Sequence, residues 1–382
     1  MNNKIFYWSP FIDKVATTKS VINSCYSLKK YSRNFKPVIL NACGEWNSLS
    51  DEIDQKGISL ENLTSLKILE NKPSQKGFIK SRLLYFYLLI QLYSPLLNFL
   101  KKNRENFIII HLLTSLPLML NIFLKNKKMI LRISGLPKFT FLRKMLWKVA
   151  LDKIDTVLCP TIDTMINLQK NFPKDINKFK VLRDPVIYVK EILRLKNTEK
   201  KIDYQNYFLS IGRLTKQKNY MFLLQFLKKF HKQKYSKYTF LIAGEGEEEQ
   251  KLKNYIKKNN MENYVKMLGY QKNIFPLLKN AEALISTSLW EDPGFTLIES
   301  GFVNTLVITS NCPNGPKEIL NNGANGYIYQ TNSFNDIEKQ IDIFLKDSQK
   351  LKVNKKKNLK KYIKEFTIFN HFKELQKNLN EN

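Results

Sequence analysis

The sequence is poor in acid. It sets 33 Asp and Glu against 63 Lys and Arg in 382 residues, a formal net charge of +30. An excess of that size suits an anionic partner, such as a substrate phosphate, an anionic lipid surface or a nucleic acid. It also has a blander source, since Lys, Asn and Ile are all abundant, as in an AT-rich coding sequence. Cysteine is scarce as well. Cys25, Cys43, Cys159 and Cys312 lie far apart with no C-x-x-C pair, which argues against a disulfide framework or a zinc ribbon and suits a reducing compartment. Only 13 Gly and 13 Pro occur, which excludes collagenous and low-complexity chains. The opening MNNKIFYWSP lacks an apolar stretch of signal-peptide length, so a cytoplasmic chain is expected.

Several chemical signatures are missing too. His111, His231 and His371 have no metal-ligand spacing, and no Asp-x-Asp is present to hold a nucleotide through a divalent ion. No G-x-S-x-G elbow and no P-loop lysine motif occurs, which argues against an α/β-hydrolase or a nucleoside-triphosphatase. No helix-turn-helix, zinc finger or RNA-binding aromatic signature accompanies the charge, so nucleic acid is not the expected partner.

What is present is an alternation of short apolar runs with helix-length segments, the pattern of βαβ units and parallel sheets. The fold class is α/β. Strands are predicted over Lys4–Trp8, Pro37–Leu40, Phe107–Ile110, Met129–Arg132 and Thr156–Cys159, then over Tyr207–Ile211, Tyr238–Ala243, Val265–Leu268, Ala283–Ile285 and Leu306–Ile308. At this length two domains are expected. Residues 1–195 form the first and 203–350 the second, with the boundary near residue 200 inside a charged stretch, Val189–Tyr204, that lacks a core pattern. Leu83–Leu100 is eighteen residues without a charge. Pro95, Gln91, Ser94 and Asn98 interrupt it, so a buried or interfacial helix is expected rather than a membrane span.

The most specific stretch is ALISTSLWEDPGFTLIESG, Ala283–Gly301. A strand ends in small hydroxyl residues, Glu291 and a Pro-Gly turn follow, and a helix opens at about Phe295 carrying Glu299. The start of that helix directs free N–H groups and a positive dipole end where a phosphate would be stabilised. Upstream, SIGRLTKQKN puts Arg213 and Lys218 on another strand-to-helix loop, a fork and a point charge suited to a diphosphate. LIAGEGEEEQKL ends a strand in Gly244-x-Gly246, and MLGYQKN places Gly269 after the next.

In this order and spacing the segments resemble the family 4 retaining glycosyltransferases, the glycogen-synthase-like group 1 enzymes, strongly over residues 205–330. The resemblance implies GT-B architecture, two Rossmann-like domains facing a central cleft, with residues 351–382 carrying a terminal helix back toward the first domain. It implies transfer of a sugar from a nucleotide sugar to a hydroxyl of a glycan or lipid-linked acceptor, without a metal or other cofactor. Arg213 and Lys218 would hold the diphosphate, Glu299 the ribose hydroxyls and Glu291 the transferred sugar. Backbone at Gly294, Phe295 and Thr296 would support phosphate and sugar, backbone at Gly244 and Gly269 would lie near the nucleotide, and His111 would face the transferred sugar. Many members carry a Gly-Gly loop after the first strand, where this chain has Ser9, Pro10, Asp13, Val15, Ala16 and Thr17 instead.

Residues 101–150 hold 11 basic side chains and one acidic, and a nearby apolar helix adds to the case for an acceptor in cell-surface polysaccharide synthesis at the inner face of the cytoplasmic membrane. Two alternatives stay open: a catalytically silent sugar- or membrane-binding protein of the same fold, and a nucleotide-sugar epimerase.

Overall fold

A computed structural model describes residues 3–9, 16–69, 78–111, 116–124, 128–137, 139–198 and 203–381. Of the first loop, Pro10, Asp13 and Val15 lie outside the described residues. Thirteen strands are described: β1 (Asn3–Trp8), β2 (Phe35–Asn41), β3 (Ser59–Asn62), β4 (Phe107–Ile110), β5 (Met129–Arg132), β6 (Thr156–Cys159), β7 (Phe179–Val181), β8 (Tyr207–Ile211), β9 (Thr239–Ala243), β10 (Val265–Gly269), β11 (Ala283–Ser286), β12 (Leu306–Ser310) and β13 (Tyr327–Tyr329). The helices are α1 (Ala16–Tyr31), α2 (Ser50–Gln55), α3 (Phe78–Lys102), α4 (Leu116–Leu124), α5 (Phe141–Leu151), α6 (Ile162–Asn171), α7 (Val189–Lys196), α8 (Tyr220–Phe230), α9 (Glu249–Lys258), α10 (Phe275–Asn280), α11 (Phe295–Phe302), α12 (Pro316–Ile319), α13 (Phe334–Lys346), α14 (Gln349–Ile363) and α15 (Ile368–Asn380).

The chain forms two compact units, residues 1–185 with 368–382, and residues 186–367. Each is built on an all-parallel sheet, in the order β3-β2-β1-β4-β5-β6-β7 and β10-β9-β8-β11-β12-β13. This is the GT-B fold class, two Rossmann-like domains. Central strands such as FIII, MILR and TVLC are buried at every position, because helices cover both faces of a parallel sheet. In the first unit, α3 to α6 cover one face with Leu88, Leu92, Leu96, Trp147 and Leu168. Helices α1 and α15 cover the other with Val21, Cys25, Phe372 and Leu375.

The uncharged run Leu83–Leu100 lies within α3 and lays Leu88, Leu92, Leu96 and Leu100 on the sheet. No described helix is long and apolar enough to cross a membrane. Two readings of the sequence change. Val189–Lys196 is helical, with Ile192 in the core of the second unit. Its apolar residues recur at 189, 192 and 193, an amphipathic spacing that the surrounding charge hides. The basic end of the chain is two helices: α14 stays in the second unit against α11, and only α15 joins the first.

Candidate functional site

In a doubly wound sheet, ligands bind beyond the carboxyl ends of the strands where the order reverses. In the second unit that point lies between β8 and β11. From β8 the chain proceeds to β9 and β10 on one side, and then to β11, β12 and β13 on the other. Two loops meet there, residues 212–219 after β8 and 287–294 after β11. Three hydrogen bonds join them: Leu289 N–H to Gln217 O (2.8 Å), Gln217 Nε2 to Trp290 O (2.9 Å) and Thr287 Oγ1 to Lys218 O (2.8 Å).

Between these loops Lys218 Nζ lies 2.6 Å from Glu291 Oε1 and 2.8 Å from Oε2. The lysine side chain is 16% exposed and the glutamate 4%. Ser288 Oγ donates to the same Oε1 at 2.6 Å, and Ser310 Oγ, at the end of β12, donates to Ser288 O at 2.5 Å. Glu291 N–H donates to Pro313 O at 3.2 Å, and the Asn314 amide donates to the Asp292 carboxylate. The carboxylate is therefore positioned from three strand ends.

Beyond the cis Asp292–Pro293 bond, Gly294 caps α11 with φ +104°, a left-handed conformation that favours glycine. Phe295 and Thr296 are half-buried at the helix start, and Glu299 is buried one turn further on. The free N–H groups of the first turn carry the helix's positive end. Arg213 shares the loop of Lys218, is exposed, and has no side-chain hydrogen bond or ion pair among the described residues.

The glycines divide. A Cβ on Gly244 would sit 1.9 Å from Gly212 O, so the need for glycine there is met by neighbouring backbone. Gly269 has φ +64° and open space around its Cα, and its carbonyl accepts from Gly244 N–H at 2.9 Å. Burial pushes the Cys312 thiol up to about 12. It also raises the Tyr220 phenol, with the Glu291 carboxylate adding to the effect. Both stay protonated at neutral pH.

His111 belongs to the first unit, directly after β4, and is buried. Its ring lines a small cavity with Tyr7, Ser20, Ser24, Arg132 and His371, and neither ring nitrogen has a hydrogen-bond partner. Burial, with the Arg132 guanidinium and His371 adding to it, lowers its pKa to about 3. The imidazole is therefore neutral.

The structure thus joins Lys218 to Glu291 directly and places Arg213 and α11 on the same pair of loops. It adds Gln217, Ser288, Ser310 and Asn314, which sequence reasoning passed over. The hydroxyl-rich Ser286-Thr287-Ser288 run at the end of β11 signals Ser288 alone.

Residues 192–366 match the family described as glycosyl transferases group 1. An uncharacterized glycosyltransferase of Methanocaldococcus jannaschii is 35% identical over 173 residues, 44% of this chain and 42% of that protein. A Campylobacter jejuni GalNAc-α-(1→4)-GalNAc-α-(1→3)-diNAcBac-PP-undecaprenol α-1,4-N-acetyl-D-galactosaminyltransferase is 26% identical over 237 residues, 61% of this chain and 63% of that protein. The alignments thus span less than two thirds of these relatives' lengths. Among solved structures, a glycosyltransferase from Rickettsia africae superposes with TM-score 0.77 at 17% identity, covering 100% of this chain and 98% of that one. Anabaena HepE in complex with UDP and glucose gives 0.71 at 15% identity, covering 100% of both chains. At these identities the likeness is one of fold.

Proposed function

We propose, on the premise that residues 192–366 form a group 1 glycosyltransferase domain, that the protein transfers a sugar from a nucleotide sugar to a hydroxyl of a glycan or lipid-linked acceptor. The Lys218–Glu291 pair beside the start of α11 carries this reading. A nucleoside diphosphate leaving group develops negative charge on its bridging oxygen, and a preorganised cation and helix N-terminus stabilise it in a partly dry site. Arg213 and Lys218 take the diphosphate, and Glu299 accepts hydrogen bonds from the ribose hydroxyls. When the diphosphate draws Lys218 away, Glu291 is released to accept hydrogen bonds from hydroxyls of the sugar. Backbone of Gly294, Phe295 and Thr296 supports phosphate and sugar, with Gly269 and Gly244 nearer the nucleotide. His111, held neutral, is the first unit's contribution toward the transferred sugar.

The finer features of the proposal are retention of anomeric configuration, independence of divalent metal, and an acceptor in cell-surface polysaccharide synthesis at the inner face of a membrane. The UDP and glucose named for the Anabaena structure and the undecaprenyl diphosphate named for the Campylobacter relative support a nucleotide sugar and a lipid-linked acceptor. The test is a transfer assay over a panel of nucleotide sugars, with the product's anomeric configuration read by NMR. Donor-dependent transfer that survives a chelator and that Arg213→Ala and Glu299→Ala both impair is the expected result. Folded protein that neither binds nor turns over any nucleotide sugar would overturn the reading.

A further inference from the structure

Glu291 is held through its backbone and through its side chain, and the two attachments differ. Neighbouring loops fix the backbone: Leu289 N–H donates to Gln217 O, Gln217 Nε2 to Trp290 O, and Glu291 N–H to Pro313 O. Among the described side chains, Lys218 and Ser288 donate to the carboxylate, and they reach it unequally. Lys218 Nζ bonds both oxygens, whereas Ser288 Oγ donates to Oε1 alone, at 2.6 Å. That length lies in the range of a hydroxyl donating to a carboxylate, one of the stronger hydrogen bonds a serine makes.

Ser288 is itself locked in place. It is fully buried just beyond β11. A hydroxyl has one proton, and here it goes to Glu291, so Ser288 Oγ accepts in its 3.2 Å contact with Ser286 Oγ. The next two strands hold the carbonyls of the same segment. Ser310 Oγ at the end of β12 donates to Ser288 O at 2.5 Å, and the Tyr329 hydroxyl at the end of β13 donates to Ser286 O at 3.0 Å. A side chain with one carbon torsion keeps its direction in such a frame. The four-carbon stem of Lys218 can instead swing its ammonium toward another anion.

We propose that Ser288 is a positioning residue for recognition of the transferred sugar. A diphosphate competes with Glu291 for the Lys218 ammonium, and a carboxylate only 4% exposed then needs another donor to hold its direction. Ser288 is that donor, at Oε1. Oε2, where Lys218 is the described side-chain partner, turns to the sugar hydroxyls. The hand-over links the two ends of the donor, since the diphosphate that takes Lys218 uncovers the oxygen that the sugar needs. This role rests on the nucleotide-sugar reading above and acts through Glu291, without contact between Ser288 and substrate.

The experiment measures binding of UDP, GDP, UDP-glucose, UDP-N-acetylglucosamine, UDP-N-acetylgalactosamine and GDP-mannose to the full chain by calorimetry, and transfer from whichever sugar the wild type uses. The readout is the affinity for that nucleotide sugar divided by the affinity for its nucleoside diphosphate. Without the sugar, water fills its place and solvates the released carboxylate, so binding of the diphosphate alone reports an intact pocket. Ser288→Ala should lower the ratio and the transfer rate about tenfold, the worth of a hydrogen bond to a charged group. Ser288→Cys keeps the shape with a weaker donor and should fall between. In a Glu291→Ala background no carboxylate remains to be positioned, and Ser288→Ala should change the ratio by less than about twofold. The role is overturned if Ser288→Ala lowers only the melting temperature, leaving ratio and rate at wild-type values, or if it costs as much in the Glu291→Ala background. A folded wild type that binds and transfers none of these compounds would sink the glycosyltransfer reading itself, and this role with it.

Discussion

At Lys218 one ammonium has two duties, and they can be separated. In the unliganded chain it neutralises a carboxylate only 4% exposed, so Lys218→Met leaves Glu291 with Ser288 as its side-chain partner and costs about 3 kcal/mol of stability. Lys218→Met/Glu291→Gln removes the stranded charge and should recover most of that loss in urea unfolding. Transfer should stay about a hundredfold or more below wild type in both, because each keeps Arg213 but lacks the Lys218 ammonium at the leaving group. A double variant with near-normal rates would reduce the pair to a structural role. Each partner was legible alone from its place on a strand-to-helix loop. Their pairing was not, since it spans 73 positions and depends on β8 lying beside β11.

The buried titratable groups of the first unit give opposed pH effects. His111 and His371 fall to about 3 and about 4, chiefly by burial. Below pH 6.5 the unfolded chain takes up protons that the folded one refuses. Their contribution is therefore complete above pH 6.5 and shrinks on acidification, by about 2 kcal/mol per histidine between pH 6.5 and 5. Glu45 runs the other way. Burial raises it to about 7, against its backbone N–H bonds from Ala42 and Cys43. The folded state therefore holds a proton that the unfolded state has lost, and acidification over the same range returns about 2 kcal/mol. Urea titrations should show a net loss of about 2 kcal/mol from pH 6.5 to 5. His111→Met should flatten the profile and Glu45→Gln should steepen it; the same slope in all three proteins would refute these shifts.

Between elements, the contact that fixes the site helix is α11 on α14. A Cβ on Gly301 would lie 2.2 Å from Ile363 Cδ1 and 2.7 Å from Leu359 Cγ. Gly301→Ala gains up to about 1 kcal/mol of helix propensity but overpacks this contact by about 1–3 kcal/mol, so a net loss is expected. Ile363→Val, itself costing about 1 kcal/mol by deleting a buried methylene, should be nearly neutral in the Gly301→Ala background. Coupling of that kind, measured as a double-mutant cycle, reports direct contact; additive losses would mean that α14 moves away instead. The same scale explains what the sequence hid. All ten anticipated strands are present, and the three overlooked, β3, β7 and β13, are all sheet edges. Buried on fewer sides, SLEN and FKV lack the continuous apolar run that marks a central parallel strand.

For the molecule as a whole, the path of the chain decides which part can stand alone. Residues 186–367 form the second unit without interruption, whereas the first needs 368–382 as well as 1–185. Helix α15 lays Phe372, Leu375 and Leu379 into the core beneath α1. His371 on α15 bonds Ser24 Oγ through Nε2 at 2.7 Å, and its Nδ1 donates to Arg183 O at 2.6 Å. Arg132 pairs with Asp184 at 2.6 Å in the same buried network, where Ser20 Oγ also donates to Asp184 at 2.7 Å. Cutting the chain before Ile368 therefore uncovers three large apolar side chains and takes the His371 partner from Ser24 and the Arg183 carbonyl, a loss of several kcal/mol against a typical domain stability of about 5–15 kcal/mol. A fragment of residues 186–367 should unfold cooperatively and gain melting temperature with the nucleoside diphosphate that the full chain prefers, because its pocket loops and core are its own. Residues 1–185 alone should lack a cooperative transition and regain one when a peptide of residues 368–382 is added. If instead 1–185 melts cooperatively without the peptide, α15 is an accessory to the first domain rather than part of its core.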